Sequence, residues 1–239
     1  MSYNFIFFHI DTKGEDLSNK HKSITRDDIL YFIKSIKKHH PKSKIIHCTD
    51  METKSFNIVD FTHRTEFDTN FLMYGKIKSF STLQIDRTSI YLDPDMLVMK
   101  NIPVSSIEDK ADVFLLKRSF NNNSLLPIEF RGLTFLKHKN KKYIDIYPYI
   151  ACLVICKKES FWKECLNYFK KIEHVYKIWF GDQEILRLVV EKKIFSFGFI
   201  DESNFACPPQ NLNGNTRPFI IHFKGKINKE LIKKYYEYV

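Results

Sequence analysis

The sequence predicts an α/β fold, with a mixed, mostly parallel central sheet flanked by helices. Apolar runs of strand length alternate with amphipathic helical spacings along most of the chain. The first three elements read strand, helix, strand. Composition supports a packed core: of 239 residues, 44% are hydrophobic and 15% aromatic, which excludes disorder as the main state. That length predicts one domain over residues 1–239.

Tyr3 to Ile10 opens the chain as a strand. Thr25-x-x-Asp28 is a helix start signal, Ile29, Phe32, Ile33 and Ile36 follow at helical spacing, and His40-Pro41 ends that helix. Lys44 to Cys48 is the second strand, parallel to the first through a right-handed crossover. A mixed segment leads to Asp68, after which Phe71, Leu72, Tyr74, Ile77, Phe80 and Leu83 mark a second amphipathic helix. Ser89 to Leu92 is a short strand running straight into Asp93-Pro94-Asp95, and Asp112 to Leu116 is another. Residues 117–148 keep no clean period and include Asn121-Asn122-Asn123 and the basic stretch Lys137 to Lys142; they read as a long functional loop with some local structure. Tyr149 to Cys156 is a buried strand, and Phe161, Trp162, Cys165, Leu166 and Phe169 continue as a helix. A helix over Asp182 to Val190, strands over Ile194 to Ile200 and Phe219 to His222, and a basic tail helix over Lys229 to Tyr238 complete the chain.

Several classes are disfavoured. No apolar run approaches the roughly 20 residues of a membrane-spanning helix, and no secretory signal is expected at the N-terminus. The five cysteines include no C-x-x-C pair, so buried free thiols in a reducing, cytoplasmic setting are expected. Seven glycines are too few for Gly-rich phosphate loops. The net charge of +10 favours an anionic partner. Its lysines are scattered, so charge alone does not choose between a phosphorylated substrate, an anionic membrane surface and nucleic acid.

Asp93-Pro94-Asp95 carries the chemistry. Two carboxylates at i and i+2 beyond an apolar strand can point into one crevice, where hard cations want oxygen ligands. A cation there stabilises the charge growing on a diphosphate leaving group. The bland alternative is a polar turn with Asp capping backbone groups. His222 follows a strand, with Lys224, Gly225 and Lys226 after it: imidazole can complete a Mn²⁺ shell, the lysines can meet phosphate, and Gly225 lets backbone approach closely. In Trp179-Phe180-Gly181-Asp182-Gln183, Asp182 either caps the following helix or orients a sugar hydroxyl beside Gln183.

Taken in order, "SIKKHHPKSKII", "NFLMYGKIKS", "SIYLDPDMLV", "YIACLVICKKESFW", "GDQEIL" and "IHFKG" resemble GT-A glycosyltransferases of the family 8 type, the glycogenin and lipopolysaccharide galactosyltransferase group. The resemblance runs over nearly the whole chain. It implies a GT-A fold, with Asp93 and Asp95 on metal and nucleotide and His222 as third metal ligand. Gly225 and Lys226 would lie near the diphosphate, and Asp182 and Gln183 would face the acceptor and the anomeric carbon. Asp11 and Asp50, after the first two strands, would touch the nucleoside. Lys76 or Lys78 would stand for an arginine of the helix before D-x-D, with Lys78 the expected donor contact. The acceptor strand lacks the family's Asn-Ser/Ala-Gly, and Lys-Pro-Trp is absent after Gly225. The implied cofactors are Mn²⁺ or Mg²⁺ and a nucleotide-diphosphate sugar, foremost a UDP-sugar. The implied partners are a saccharide or lipid-linked glycan acceptor and a peripheral anionic membrane face, with no nucleic acid. Retention of configuration is implied. The alternatives are an inverting enzyme using Asp182 or Glu184 as base, a nucleotidyltransferase using Lys13-Gly14, and a non-catalytic sugar-binding scaffold.

Overall fold

The strand–helix alternation builds a seven-stranded sheet with helices on both faces. The computed structural model describes residues 2–11, 24–120, 123–130, 133–135, 138–177, 180–213 and 217–239. In chain order these form β1 Asn4–Phe8, α1 Arg26–His39, β2 Lys44–Thr49, β3 Phe61–Arg64, α2 Leu72–Thr82, β4 Ser89–Leu92, β5 Met96–Val98 and β6 Val113–Lys117. There follow β7 Glu129–Phe130, β8 Leu133–Thr134, α3 Tyr143–Ile146, β9 Tyr149–Cys156, α4 Ser160–Phe169, α5 Gly181–Lys192, β10 Phe197–Asp201, α6 Glu202–Phe205, β11 Ile220–His222, α7 Lys226–Lys229 and α8 Ile232–Tyr236.

The large sheet runs β10-β6-β9-β4-β1-β2-β3. Its pairs are parallel except those of β9, which is antiparallel to both β4 and β6. The expected mixed, mostly parallel sheet is present. Strand alternation divides the core between two faces. Phe5 and Phe7 of β1 pack with Ile29, Phe32, Ile33 and Ile36 of α1. Ile6 faces the other way, with Tyr91, Phe161, Trp162, Ile185 and Val189 under α2, α4 and α5. Burying each such side chain contributes roughly 1.5–3 kcal/mol. The capping box on α1 forms as its sequence predicts: Thr25 N donates to Asp28 Oδ2 at 3.0 Å and Asp28 N to Thr25 Oγ1 at 3.1 Å. All five cysteines are buried free thiols.

Several elements depart from the sequence reading, which contained neither β5 nor α6. The segment before Asp68 contains β3, an edge strand whose exposed Phe61 breaks the alternation expected of a half-buried strand. The strand expected from Ile194 starts at Phe197, because Lys193 takes the left-handed conformation at the end of α5 and leaves Ile194 exposed. The tail is two short helices rather than one. Gly225 (φ 89°) opens α7, and Ile232 of α8 is buried against Leu97, Ile221 and Phe223.

The described residues between 117 and 148 have a small core of their own: Leu126, Phe135 and Tyr147 pack with Tyr176 and Phe180 at the entrance to α5.

Candidate active site

β1, β2 and β4 are parallel neighbours, so their carboxyl ends share one edge of the sheet. Ligands of open α/β sheets bind at such edges. The chain leaves β4 at Leu92, and Asp93 N donates to Cys152 O at 2.9 Å, which extends the hold of β9 by one residue. The D-P-D turn then feeds β5. β5 lies outside the large sheet and pairs antiparallel with β11, with Met96 opposite His222. Phe223 N donates to Asp95 O at 2.9 Å and His222 N to Cys207 O at 3.0 Å. This pairing seats His222 on the turn: one ligand atom each from Asp93, Asp95 and His222 lie within 4.8 Å of one another.

Three cationic groups surround these carboxylates. Lys76 of α2 is buried and bridges Asp93 Oδ1 at 2.9 Å and Asp182 Oδ2 at 3.2 Å. His222 Nε2 lies 3.3 Å from Asp95 Oδ1, and Lys229 Nζ of α7 lies 3.5 Å from Asp95 Oδ2. Burial alone would discharge Lys76, but the carboxylates of Asp93 and Asp182 outweigh it and raise its pKa. Burial likewise opposes the His222 charge, yet Cys152 and the Asp95 carboxylate push the imidazole up to about 10. Burial raises Asp95, and the opposing His222 and Lys229 charges hold it well below the usual carboxylate range. Among the described residues, the carboxylates of Asp93, Asp95 and Asp182 thus lie against Lys76, His222 and Lys229.

α5 supplies the other wall. Phe180 is in the left-handed conformation (φ 66°) and forms the helix N-cap with no side-chain bond. A Cβ on Gly181 would meet Tyr176 O at 2.1 Å and the Phe169 ring at 2.6 Å, so no side chain fits there. Asp182 is therefore not the capping residue. It sits in the first turn, accepts from Gln183 N at 2.8 Å through Oδ1, and accepts from Lys76 Nζ at 3.2 Å through Oδ2. A carboxylate in a first helical turn is favoured by the helix dipole.

The remaining predicted residues lie around this centre. Lys78 does not reach it: Nζ donates to Glu66 O at 2.6 Å, and Lys76 is the lysine of α2 that enters the site. Positions two apart on a helix face different ways; the small Gly75 and Ser79 on the buried face mark the side on which Lys76 lies. Asp11 and Asp50 stand just past β1 and β2, and each is engaged locally. Asp11 accepts from Arg26 Nη1 at 3.2 Å and Lys54 N at 3.3 Å. The buried Asp50 accepts from Thr53 N at 2.8 Å. Gly225 opens α7 beside Lys229. The Lys226 side chain, Trp179 and Lys13-Gly14 lie outside the described residues. The sequence reading missed Lys229 and Arg118. Lys229 follows Gly225 by one helical turn, which was the available signal.

No family model matches the chain, and no curated protein matches it. Solved structures do. A glycosyltransferase involved in glycosylation of the major capsid of PBCV-1 superposes with TM-score 0.58 at 12% identity, covering 100% of both chains. Galactosyltransferase LgtC, in complex with donor and acceptor sugar analogs, superposes with TM-score 0.58 at 10% identity over 98% of this chain and 95% of its own. Glycosyltransferase GlyE of Streptococcus pneumoniae TIGR4 gives TM-score 0.55 at 11% identity over 98% of this chain and 59% of its own. The chain has the α/β, GT-A-like fold of these glycosyltransferases. Within that GT-A fold the acidic turn, β11 and the first turn of α5 converge on one edge of the sheet.

Proposed function

We propose that the chain is a divalent-metal-dependent glycosyltransferase. It moves a sugar from a nucleotide-diphosphate donor to a saccharide or lipid-linked glycan acceptor with retention of configuration. The convergence of Asp93, Asp95 and His222 supports this reading most directly. The LgtC complex with donor and acceptor sugar analogs supports it, as does a structure of an active-site glutamine-to-glutamate mutant of LgtC, alike over 93% of this chain with TM-score 0.56.

The residues fit a cation. Two carboxylates and an imidazole suit Mn²⁺ better than Mg²⁺, which prefers oxygen and water. The site already concentrates cationic charge on those carboxylates, through His222 and two lysines. Bound there, the ion would supply Lewis-acid stabilisation to the diphosphate. Asp93, Asp95 and His222 would hold it. Lys76 and Lys229 would then be available to phosphate oxygens as point charges. Asp182 would accept from sugar hydroxyls. In a retaining transfer the departing diphosphate oxygen can take the acceptor's proton, so no carboxylate base is required of the chain.

The test is a thermal-shift panel of UDP-, GDP-, ADP- and TDP-hexoses with Mn²⁺, UDP-sugars first. A ligand at 100 times its Kd stabilises by about 2.7 kcal/mol. One sugar nucleotide is expected to raise Tm, with chelator reversing the shift, and to be hydrolysed slowly to free sugar and nucleoside diphosphate. A panel without Mn²⁺-dependent binding or hydrolysis rejects the proposal; release of pyrophosphate from a nucleoside triphosphate and a sugar phosphate indicates a nucleotidyltransferase.

His222 gives a pH-dependent expectation. Metal-free, it is protonated well above neutrality, and a metal ligand must be neutral. Mn²⁺ binding therefore releases a proton, and wild-type affinity should rise about tenfold per pH unit between roughly pH 6.5 and 8.5. His222→Ala should bind weakly with a flat profile, so that the two proteins converge at low pH. Calorimetry across this range checks it; an unchanged slope in the variant removes His222 from the metal shell.

We also propose peripheral attachment to anionic lipid. No described helix is long and apolar enough to cross a membrane, the net charge is +10, and Lys233, Lys234 and Tyr238 are exposed at the tail. Each lysine near such a surface adds about 1 kcal/mol at low salt. Co-sedimentation with liposomes should rise with anionic lipid and fall with salt; indifference to both would discard the idea.

A further inference from the structure

Arg118 lies one residue beyond β6 and is 7% exposed. Its backbone N–H donates to Pro148 O at 2.9 Å, its Nε to Tyr147 O at 3.2 Å, and its Nη2 to Gln183 Oε1 at 2.9 Å. The guanidinium carbon stands 5.4 Å from the centre of the Tyr143 ring. Directly after it, Ser119 N and Phe120 N donate to Glu202 Oε2 of α6 at 2.8 and 3.0 Å. Glu202 thereby pins the start of the 117–148 segment and supplies charge opposite to the guanidinium. A buried arginine thus ties β6, the end of α3 and the first turn of α5 together.

The chemical consequence lies in what each group can donate or accept. A guanidinium has donors and no acceptor, so the oxygen of the Gln183 amide must be the atom that faces it. The bond is charge-assisted and roughly twice as strong as a neutral one, which holds the amide against flipping. The neighbouring carboxylate is engaged as well: Asp182 accepts from Gln183 N and from Lys76. With Oε1 turned towards Arg118, the amide offers Nε2 on its other side, and Nε2 can only donate.

We propose that Arg118 is a positioning residue for sugar transfer: it locks the Gln183 amide with Oε1 held towards the guanidinium, so that Nε2 meets the reacting sugar as a hydrogen-bond donor. This rests on the reading of Asp182 and Gln183 as residues facing the sugar.

The experiment compares Arg118→Met, Arg118→Lys, Gln183→Ala, Gln183→Glu and the Arg118→Met/Gln183→Ala double variant. The readouts are kcat and KM for Mn²⁺-dependent hydrolysis of the sugar nucleotide that the wild type accepts in the panel above, together with Tm. Arg118→Met should lower kcat by about 10- to 100-fold, the scale of lost positioning, with KM for the donor little changed. The double variant should be no slower than the slower single variant, because the two residues act as one unit. Arg118→Lys keeps one donor towards Oε1 and should recover part of the rate. Gln183→Glu keeps the bond to Arg118 and should melt no earlier than wild type, yet be as slow as Gln183→Ala, because Nε2 is gone. Losses that multiply in the double variant, or wild-type turnover in Gln183→Glu, overturn the proposal. Should Arg118→Met not fold, the same cycle with Arg118→Lys decides. Impaired Gln183→Ala beside unimpaired Arg118→Met overturns the role of Arg118 alone; unimpaired Gln183→Ala overturns the reading of the site and the proposal with it.

Discussion

Asp95→Ala is expected to abolish Mn²⁺-dependent donor binding while the protein stays folded. Asp95 is the carboxylate to which both His222 and Lys229 are directed, at 3.3 and 3.5 Å. Losing even a supporting contact around a metal weakens it by 10- to 100-fold, so losing a ligand should lower apparent donor affinity by at least about 100-fold. The fold should survive because the imidazole need not remain charged. Without Asp95, a large part of what holds the proton on the buried His222 is gone and its pKa falls. The stability cost should be on the order of 1–3 kcal/mol, the scale of a lost charged hydrogen bond. It should also depend on pH with a definite sign. His222 has its folded pKa raised from 6.5 to about 10 by its neighbours, Asp95 among them. Stability from that pairing is therefore fully present below about 6.5 and lost as pH rises through about 10. The Tm difference between wild type and Asp95→Ala should shrink over that window. Calorimetry showing wild-type donor affinity in the variant would reject the metal assignment. A Tm difference independent of pH would reject the pairing with His222.

Asp182→Asn is expected to cut turnover by about 100-fold, the scale of lost catalytic positioning. Asparagine keeps an oxygen for one of the two donors, Gln183 N at Oδ1 or Lys76 at Oδ2, and loses the other bond, so the stability change should be on the order of 1–3 kcal/mol. Capping does not enter this comparison, because Phe180 occupies the N-cap. Donor affinity should fall far less than turnover. It should still fall measurably, because Lys76 joins Asp182 to Asp93 and the two carboxylates share its charge. Steady-state kinetics on the preferred acceptor, with calorimetry for the donor, separate these effects. Normal turnover in Asp182→Asn would leave Asp182 as a counter-ion for Lys76 and no more.

Legibility varied with the range of the interaction. Helix α1 could be read down to its capping residues because Thr25, Asp28 and the buried stripe lie within a few turns of one another. Strand β9 was legible as an apolar run, but its direction was not. Only its pairing with β4 and β6 makes it antiparallel, and an apolar run looks the same either way. Strand β3 was hidden because an edge strand needs little apolar character. The lysine of α2 was narrowed to two candidates, and helix phase against the sheet chose Lys76 over Lys78.

By itself the sequence determined the α/β alternation, the buried faces of the helices and the acidic turn after β4. These follow from periodicities of two and 3.6 residues and from local turn chemistry, which a chain carries without knowing its partners. The tertiary structure decided which charges meet. His222 faces Asp95 through the β5–β11 pairing, and Lys76 spans Asp93 and Asp182 because α2 and α5 pack on one face of the sheet. Arg118 reaches Gln183 because the 117–148 segment folds onto α5. Electrostatic and hydrogen-bond contacts act over a few ångströms of space, and only a closed fold brings residues so far apart in sequence within that distance.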